Sequence, residues 1–276
     1  MKTIRIIACW SGEYPWYLPY FIHSCQYNPS VEFVIVSDND KELEGVPSNL
    51  KIIHKTLAEM EEIASQKLGF VAAIKDGYKL NDFKPAYGYI FSELIEGFDF
   101  WGHMDLDLIW GDLRYFLDEE MLSQYDFIST RHDYTTGVFC LYRNTPEVNT
   151  LFMRSRDYKK VLSEPKHYCF DECNFAWNAL ASGQSILDVH TEIESFTEVV
   201  KKAEMQKIIR AHFDFIILEG VPGKIVFDHG KIIYKNKLEA LLYHFFWLKR
   251  VYYPKKIGMI PSRYWISPTR IYHHRR

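Results

Sequence analysis

No run of the 276-residue chain approaches the roughly 18 uninterrupted apolar residues that a membrane-spanning helix requires, so a transmembrane span is not expected. The opening Met1-Lys2-Thr3-Ile4-Arg5 passes straight into strand-like sequence without a signal-peptide core, which predicts a protein that is neither exported nor membrane-spanning. Cysteine is sparse and odd in number. Cys9, Cys25, Cys140, Cys169 and Cys173 show no Cys-x-x-Cys spacing, which suggests neither a disulfide framework nor a zinc site and points to a reducing cytosol. Internal repeats, low-complexity blocks and Pro/Gly-rich linkers are also missing. What remains, 47% hydrophobic and 25% charged residues, is the profile of a globular chain long enough to bury a full core.

The net charge of −3 conceals an asymmetry. From Lys249 onward stand eight basic residues (Lys249, Arg250, Lys255, Lys256, Arg263, Arg270, Arg275 and Arg276) and no acidic one, leaving 25 basic against 36 acidic residues in the remainder. A basic end on an acidic body points to an anionic surface. The interleaved Tyr252, Tyr253, Trp265, Ile266, Ile271 and Tyr272 favour a membrane interface, against the plainer alternative of a solvated basic tail. Nucleic acid is disfavoured, because the body would repel it and no familiar binding motif is present.

Ile4 to Trp10 and Val31 to Ser37 are short apolar runs ended by turn residues, and both read as buried parallel strands. Trp16 to Tyr27 suits a crossover helix, Leu50 to His54 a third strand and Leu57 to Leu68 a second helix. This alternation argues for an α/β sheet. Asp82 to Glu96 reads as a helix with Asp82 as its cap and Pro85 in the first turn, followed by a strand over Phe98 to Met104. Strands are expected at Tyr125 to Thr130, Gly137 to Tyr142, Ile186 to Val189, Phe215 to Leu218 and across Lys224 to Tyr234. A helix is expected around Asp171 to Ala181. The organisation predicted is one catalytic domain over residues 1–235 and a C-terminal extension over 236–276.

The feature richest in chemistry is His103-Met104-Asp105-Leu106-Asp107, two carboxylates where a strand ends. A turn there can bring both onto one cation, and hard oxygen ligands suit Mg²⁺ or Mn²⁺. Two carboxylates leave coordination positions open for a nucleoside diphosphate, whose departure the ion would assist. The bland alternative is that Asp-x-Asp is a common turn sequence.

The block Asp82-Phe83-Lys84-Pro85-Ala86-Tyr87-Gly88-Tyr89, followed by Asp99-Phe100-Trp101-Gly102-His103 and Asp105-Leu-Asp107-Leu-Ile-Trp-Gly-Asp112, resembles a DUF6625-like family of bacterial polysaccharide-biosynthesis glycosyltransferases. It is also distantly similar to the retaining galactosyltransferases. The resemblance implies a GT-A fold with a mixed, mostly parallel sheet flanked by helices. It assigns Asp105, Asp107 and a distal His244 to metal binding, Lys249 to the donor diphosphate and Lys84 to the donor. Trp247 stands where related retaining enzymes carry a glycine, a departure that keeps an aromatic-cluster role open for His244; for Lys84 the alternative is a solvated helix start.

Ser11, Gly12 and Asp38 lie at strand ends, where open α/β sheets bind nucleotides, although an Asp after a strand is also a common turn former. Gly137, in Thr135-Thr136-Gly137, is where the backbone can approach a sugar or simply turn. Asp171 and Glu172 either stabilise a helix N-terminus or, as the resemblance implies, face acceptor or donor sugar. In an inverting enzyme one of them would be the general base. The sequence therefore predicts a metal-dependent glycosyltransferase of the hexosyltransferase type. It would move sugar from a nucleotide-sugar donor to a glycan or lipid-linked glycan of capsule, O-antigen or lipopolysaccharide, in the cytoplasm on the inner membrane face. The alternatives are a non-catalytic glycan-binding protein of the same fold or a haloacid dehalogenase-type phosphatase. In the latter type the acid pair closes the first strand and a Thr or Val follows two residues on; here Ile109 holds that place.

Overall fold

A computed structural model describes residues 1–214 and 216–274. In chain order the strands are β1 (Ile4–Trp10), β2 (Val31–Ser37), β3 (Leu50–His54), β4 (Phe100–Met104), β5 (Leu108–Trp110), β6 (Phe127–Ser129), β7 (Phe139–Arg143) and β8 (Ala211–Phe213). They continue as β9 (Ile217–Leu218), β10 (Ile225–Asp228), β11 (Lys231–Tyr234), β12 (Leu238–Ala240), β13 (Leu242–His244), β14 (Arg263–Ser267) and β15 (Arg270–Tyr272). Seven of them form the main sheet in the order β3-β2-β1-β4-β7-β6-β8. Its left half is parallel, and β7 runs antiparallel to both β4 and β6. The chain is thus an α/β protein with a mixed sheet flanked by helices.

Both faces of this sheet are covered, which explains why its first strands are nearly unbroken apolar runs. Ile4, Ile6, Phe33 and Ile35 pack on one side with Phe21 and Ile22 of the helix Leu18–Cys25. Ile7, Val34 and Val36 pack on the other with Met60 and Ala64 of the helix Leu57–Leu68. That second helix begins where its sequence dictates: Thr56 and Glu59 form a reciprocal cap, and Gly69 closes it in the left-handed region. Gly88 is fixed by packing. A Cβ there would lie 2.2 Å from the Trp101 ring, so the segment can press onto β4 only without a side chain.

Several sequence expectations are corrected. Residues 82–96 do not form one helix; the chain winds through short turns at Gly77–Lys79, Leu80–Phe83, Lys84–Ala86, Tyr87–Ile90 and Ser92–Leu94. Asp82 caps nothing. It is buried, accepting hydrogen bonds from the backbone N–H groups of Tyr168 (2.9 Å) and Phe170 (2.8 Å), while Asp76 caps the first turn. The helix expected around Asp171 starts only at Trp177, because Cys169, Asn174 and Phe175 adopt positive φ and keep the chain turning. Ile186–Asp188 is a single 3-10 turn rather than a strand. The expected strand from Phe215 begins at Ile217; Phe215 itself lies outside the described residues.

The expected boundary at residue 235 falls inside a five-stranded antiparallel sheet, β12-β11-β10-β14-β15. Its inner face buries Phe227, Tyr264, Ile266 and Ile271, with Tyr20 of the first helix in the same cluster. Ile266 and Ile271 are therefore core residues and cannot meet a membrane, and Tyr252 packs edge-on against Trp16. In the basic end Leu248–Val251 is a helical turn and Arg263–Ser267 and Arg270–Tyr272 are strands, while 252–262 hold no regular element; Arg275 and Arg276 lie outside the described residues. A third, three-stranded sheet, β5-β13-β9, brings distant chain back beside the Asp-x-Asp segment. Among the described residues no helix is long and apolar enough to cross a membrane.

Candidate functional site

Strand β4 ends at Met104, and the Asp105 N–H then bonds to the Val138 carbonyl at 3.0 Å, turning the chain so that β5 can start at Leu108. β13 pairs antiparallel with β5 in a register that sets His244 opposite Leu108. The Phe245 N–H closes on the Asp107 carbonyl at 2.8 Å. This pairing gathers ligand atoms of Asp105, Asp107 and His244 within 4.8 Å of one another. Asp107 and His244 are nearly buried and Asp105 is half-buried. Two carboxylates and an imidazole, converging with open space on one side, fit a hard divalent cation such as Mn²⁺ or Mg²⁺.

The His244 Nε2 lies 3.1 Å from Asp107 Oδ2. Its Nδ1 makes no hydrogen bond but faces Glu219 Oε2 at 3.5 Å. Burial disfavours the imidazolium; the Asp107 carboxylate outweighs it and pushes His244 up to about 10. Asp107 in turn is buried, yet attraction to His244 and Lys249 holds it well below the usual carboxylate range. Two lysines complete the charge balance. Lys249 donates to Asp107, while Lys84 donates to Asp105 and to the Gly137 carbonyl, the latter at 2.8 Å. Lys84 is almost wholly buried, and although burial works against its charge, Asp105 and Asp171 raise it above the ordinary lysine value.

Asp171 and Glu172 line the same cavity. Lys84 Nζ is 3.9 Å from Asp171 Oδ2; Glu172 accepts from the Gly137 N–H (2.9 Å) and from the Trp177 indole N–H (2.8 Å). Burial raises both carboxyls, Asp171 strongly, with Lys84 offsetting part of the effect on Asp171 and Glu172 adding to it. Gly137 lines the cavity but leaves no room for a side chain. A Cβ there would lie 2.6 Å from Asp171 Oδ2 and 3.2 Å from Lys84 Nζ, so the glycine lets three charged groups close around its backbone. Gly137→Ala is expected to cost ~1–3 kcal/mol by overpacking, readable in urea unfolding, and to displace Asp171.

These residues line one cavity of about 640 Å³, with Ser11 on its wall and Tyr17, Tyr78, Trp177 and Phe246 around it. Gly12 and Asp38 do not line it. Asp38 instead accepts from the Ser11 hydroxyl (2.5 Å) and the Gly12 N–H (2.7 Å), fixing the loop after β1 that presents Ser11. Sequence reasoning missed Glu219, which also pairs with Arg131 and belongs to no motif, and Arg250 beside Lys249 on the cavity wall.

Comparison with known families matches residues 6–275 to DUF6625, described as a family of unknown function. The chain belongs to DUF6625. No curated protein matches it significantly. In this DUF6625 chain the acid pair follows β4, the central strand of the main sheet, rather than the first strand as in haloacid dehalogenases.

Proposed function

We propose that this DUF6625 protein is a metal-dependent glycosyltransferase with a GT-A fold that transfers a sugar from a nucleotide-sugar donor to a glycan or lipid-linked glycan acceptor of bacterial surface polysaccharide. The observation that carries the reading is the convergence of Asp105, Asp107 and His244 beside Lys84 and Lys249 in a cavity that Asp171 and Glu172 also line. Two ammonium groups beside a metal-ligand set suit a phosphate-bearing ligand, as a nucleotide-sugar diphosphate is.

Asp105, Asp107 and His244 would hold the cation, and Glu219 stands where a carboxylate orients a ligating imidazole through its other nitrogen. When bound, a divalent cation supplies Lewis-acid neutralisation of the departing diphosphate. Lys249 and Lys84 place ammonium groups around the same charge. Ser11, held by Asp38, offers a hydroxyl where the strand ends of the parallel half meet the nucleotide. In an inverting reaction Asp171 or Glu172 takes the proton of the attacking hydroxyl; their raised values make them stronger proton acceptors once ionised. In a retaining one they face the positive charge that develops on the sugar. The working place is the cytoplasmic face of the membrane, where lipid-linked acceptors meet soluble donors, and the basic C-terminal region supports contact with an anionic leaflet.

Hydrolysis of a panel of nucleotide sugars, with and without Mn²⁺, tests this directly. The reading expects turnover of one donor that EDTA abolishes and Mn²⁺ restores; undiminished turnover in EDTA, or none with any donor or acceptor, contradicts it. Glu219→Gln is expected to weaken Mn²⁺ binding ~10–100-fold while the melting temperature without metal hardly moves. Calorimetric titration of Mn²⁺ into wild type and variant checks this, and equal affinities would remove Glu219 from the metal site.

A further inference from the structure

Four rings run in unbroken contact beside the cavity. Between centroids, Tyr78 lies 4.4 Å from His167, His167 5.7 Å from Phe175, and Phe175 5.5 Å from Trp177. Tyr78, His167 and Trp177 line the cavity itself. Tyr78 is 64% exposed, Phe175 48% and Trp177 40%, and aromatic surface left in water next to a cavity marks a place where a ligand lies. The rings are also held in place. The Trp177 indole N–H donates to Glu172 Oε2 at 2.8 Å, His167 Nδ1 is 3.3 Å from the buried Asp82 Oδ1, and the Tyr78 N–H bonds to Asp76 Oδ1 at 3.1 Å. Phe175 stands at φ 64°, a conformation that a bulky residue adopts only under strain, and its exposure shows that core packing does not offset the strain.

We propose that this row of rings binds a neutral pyranose of the acceptor glycan. The inference rests on the glycosyltransferase reading and names the side chains that hold the acceptor. Contacts set the order of the site. Asp105 meets Lys84, Lys84 meets Asp171 and the Gly137 carbonyl, the Gly137 N–H meets Glu172, and Glu172 meets Trp177. Glu172 thus touches the ring row directly and reaches the metal-ligand set through Gly137 and Lys84, which is where an attacking hydroxyl must come. A pyranose matches both neighbours, because its C–H face lies on aromatic rings while its hydroxyls donate to carboxylate oxygens. A hydrocarbon chain would strip water from Glu172 and Asp76 without replacing its hydrogen bonds. A nucleobase would stack as readily, but it comes attached to phosphates. The carboxylates behind the rings, Asp76, Asp82 and Glu172, oppose an anion there, whereas Lys84 and Lys249 answer one at the acid pair.

The test is saturation-transfer NMR on the full-length protein without metal or nucleotide. The probes are the methyl glycosides of glucose, galactose, mannose and N-acetylglucosamine, methyl glucuronide as the charged counterpart, and the common nucleosides. Wild type is compared with the double variant Tyr78→Ala/Phe175→Ala, with Trp177→Ala and with Trp177→Phe. Tyr78 and Phe175 are exposed, so the double variant should keep the wild-type melting temperature. At least one neutral glycoside is expected to bind wild type, with transfer strongest at its ring C–H protons. Its affinity should fall roughly tenfold in the double variant and in Trp177→Ala, and less in Trp177→Phe, which keeps a ring and loses only the indole N–H. No glycoside bound by wild type, or equal binding by wild type and double variant, would overturn the ring row as a sugar site. Glucuronide binding more tightly than every neutral glycoside would overturn the neutral class. Nucleoside binding that is lost in the double variant while glycoside binding is unmoved would assign the rings to the donor base and overturn the acceptor. Each outcome is independent of the metal reading, because neither Mn²⁺ nor donor is present; that reading stands or falls on EDTA-sensitive donor hydrolysis.

Discussion

Asp107→Ala is expected to lower donor hydrolysis and sugar transfer by at least ~10²-fold, the scale of losing one electrostatic stabiliser of a developing anion. Asp107 meets both His244 and Lys249, so its removal strips a ligand and unbalances the remaining cations together. His244, no longer held up by that carboxylate, should release its proton more readily, which relieves the stranded charge and lets the fold survive. Asp105→Ala, which frees Lys84 from its carboxylate partner on the open side, should match the loss of rate. Steady-state hydrolysis at saturating Mn²⁺, alongside a melting curve, separates the cases. Wild-type rates in both variants would mean that the acid pair is a turn and nothing more.

The largest expected effect on stability comes from Asp82→Ala. The Asp82 carboxylate is fully buried 2.9 Å from the Lys79 ammonium, itself 1% exposed and donating to the carbonyls of Val161 and Lys166 at 2.6 Å. Removing one partner leaves a buried charge unanswered, a loss of ~3–5 kcal/mol. The same carboxylate pins the N–H groups of Tyr168 and Phe170, the residues that lead into Asp171 and Glu172, so activity should fall even where the protein stays folded. Burial alone would raise the Asp82 value, but His167, Lys79 and the Phe170 N–H outweigh it and leave it lowered. A carboxylate with a lowered folded value contributes stability above its unfolded value and loses it as pH falls through the folded one. Acid unfolding of wild type should therefore steepen below the ordinary carboxylate range, and that steepening should be blunted in Asp82→Asn. Urea titrations across pH measure both effects; a loss below about 1 kcal/mol would show the pair to be dispensable.

The first half of the fold was legible because fully buried parallel strands write themselves as apolar runs: Ile4–Trp10, Val31–Ser37 and Leu50–His54 have the bounds their sequence suggests. The helix Leu57–Leu68 was legible for a local reason too, since its caps lie in its own sequence. The helix expected over residues 82–96 breaks into turns because the shape of the segment is set from outside, by Lys79 reaching a neighbouring segment and by Trp101 pressing on Gly88. The loop bearing Asp171 and Glu172 hides its turns in left-handed Cys169, Asn174 and Phe175, of which only Asn174 is a residue type enriched at positive φ. Asp105 and Asp107 stand out as strand-end acids from spacing alone. The approach of His244, 137 residues beyond Asp107, depends on β13 pairing with β5, and no local pattern encodes that contact. Glu219 follows the short strand β9 and has no signature at all.

In the proposed function a metal held by Asp105, Asp107 and His244 receives a nucleoside diphosphate. Its most direct measurement is a Mn²⁺ titration followed by electron paramagnetic resonance of the free ion, with and without each common nucleoside diphosphate, on wild type, Asp105→Ala, Asp107→Ala and His244→Ala. The expected result is a single Mn²⁺ per chain, bound more tightly when one of the nucleotides is present, and lost or strongly weakened in all three variants while their metal-free melting temperatures stay close to wild type. Mn²⁺ binding that is absent from wild type, or equally tight in all three variants, would contradict it.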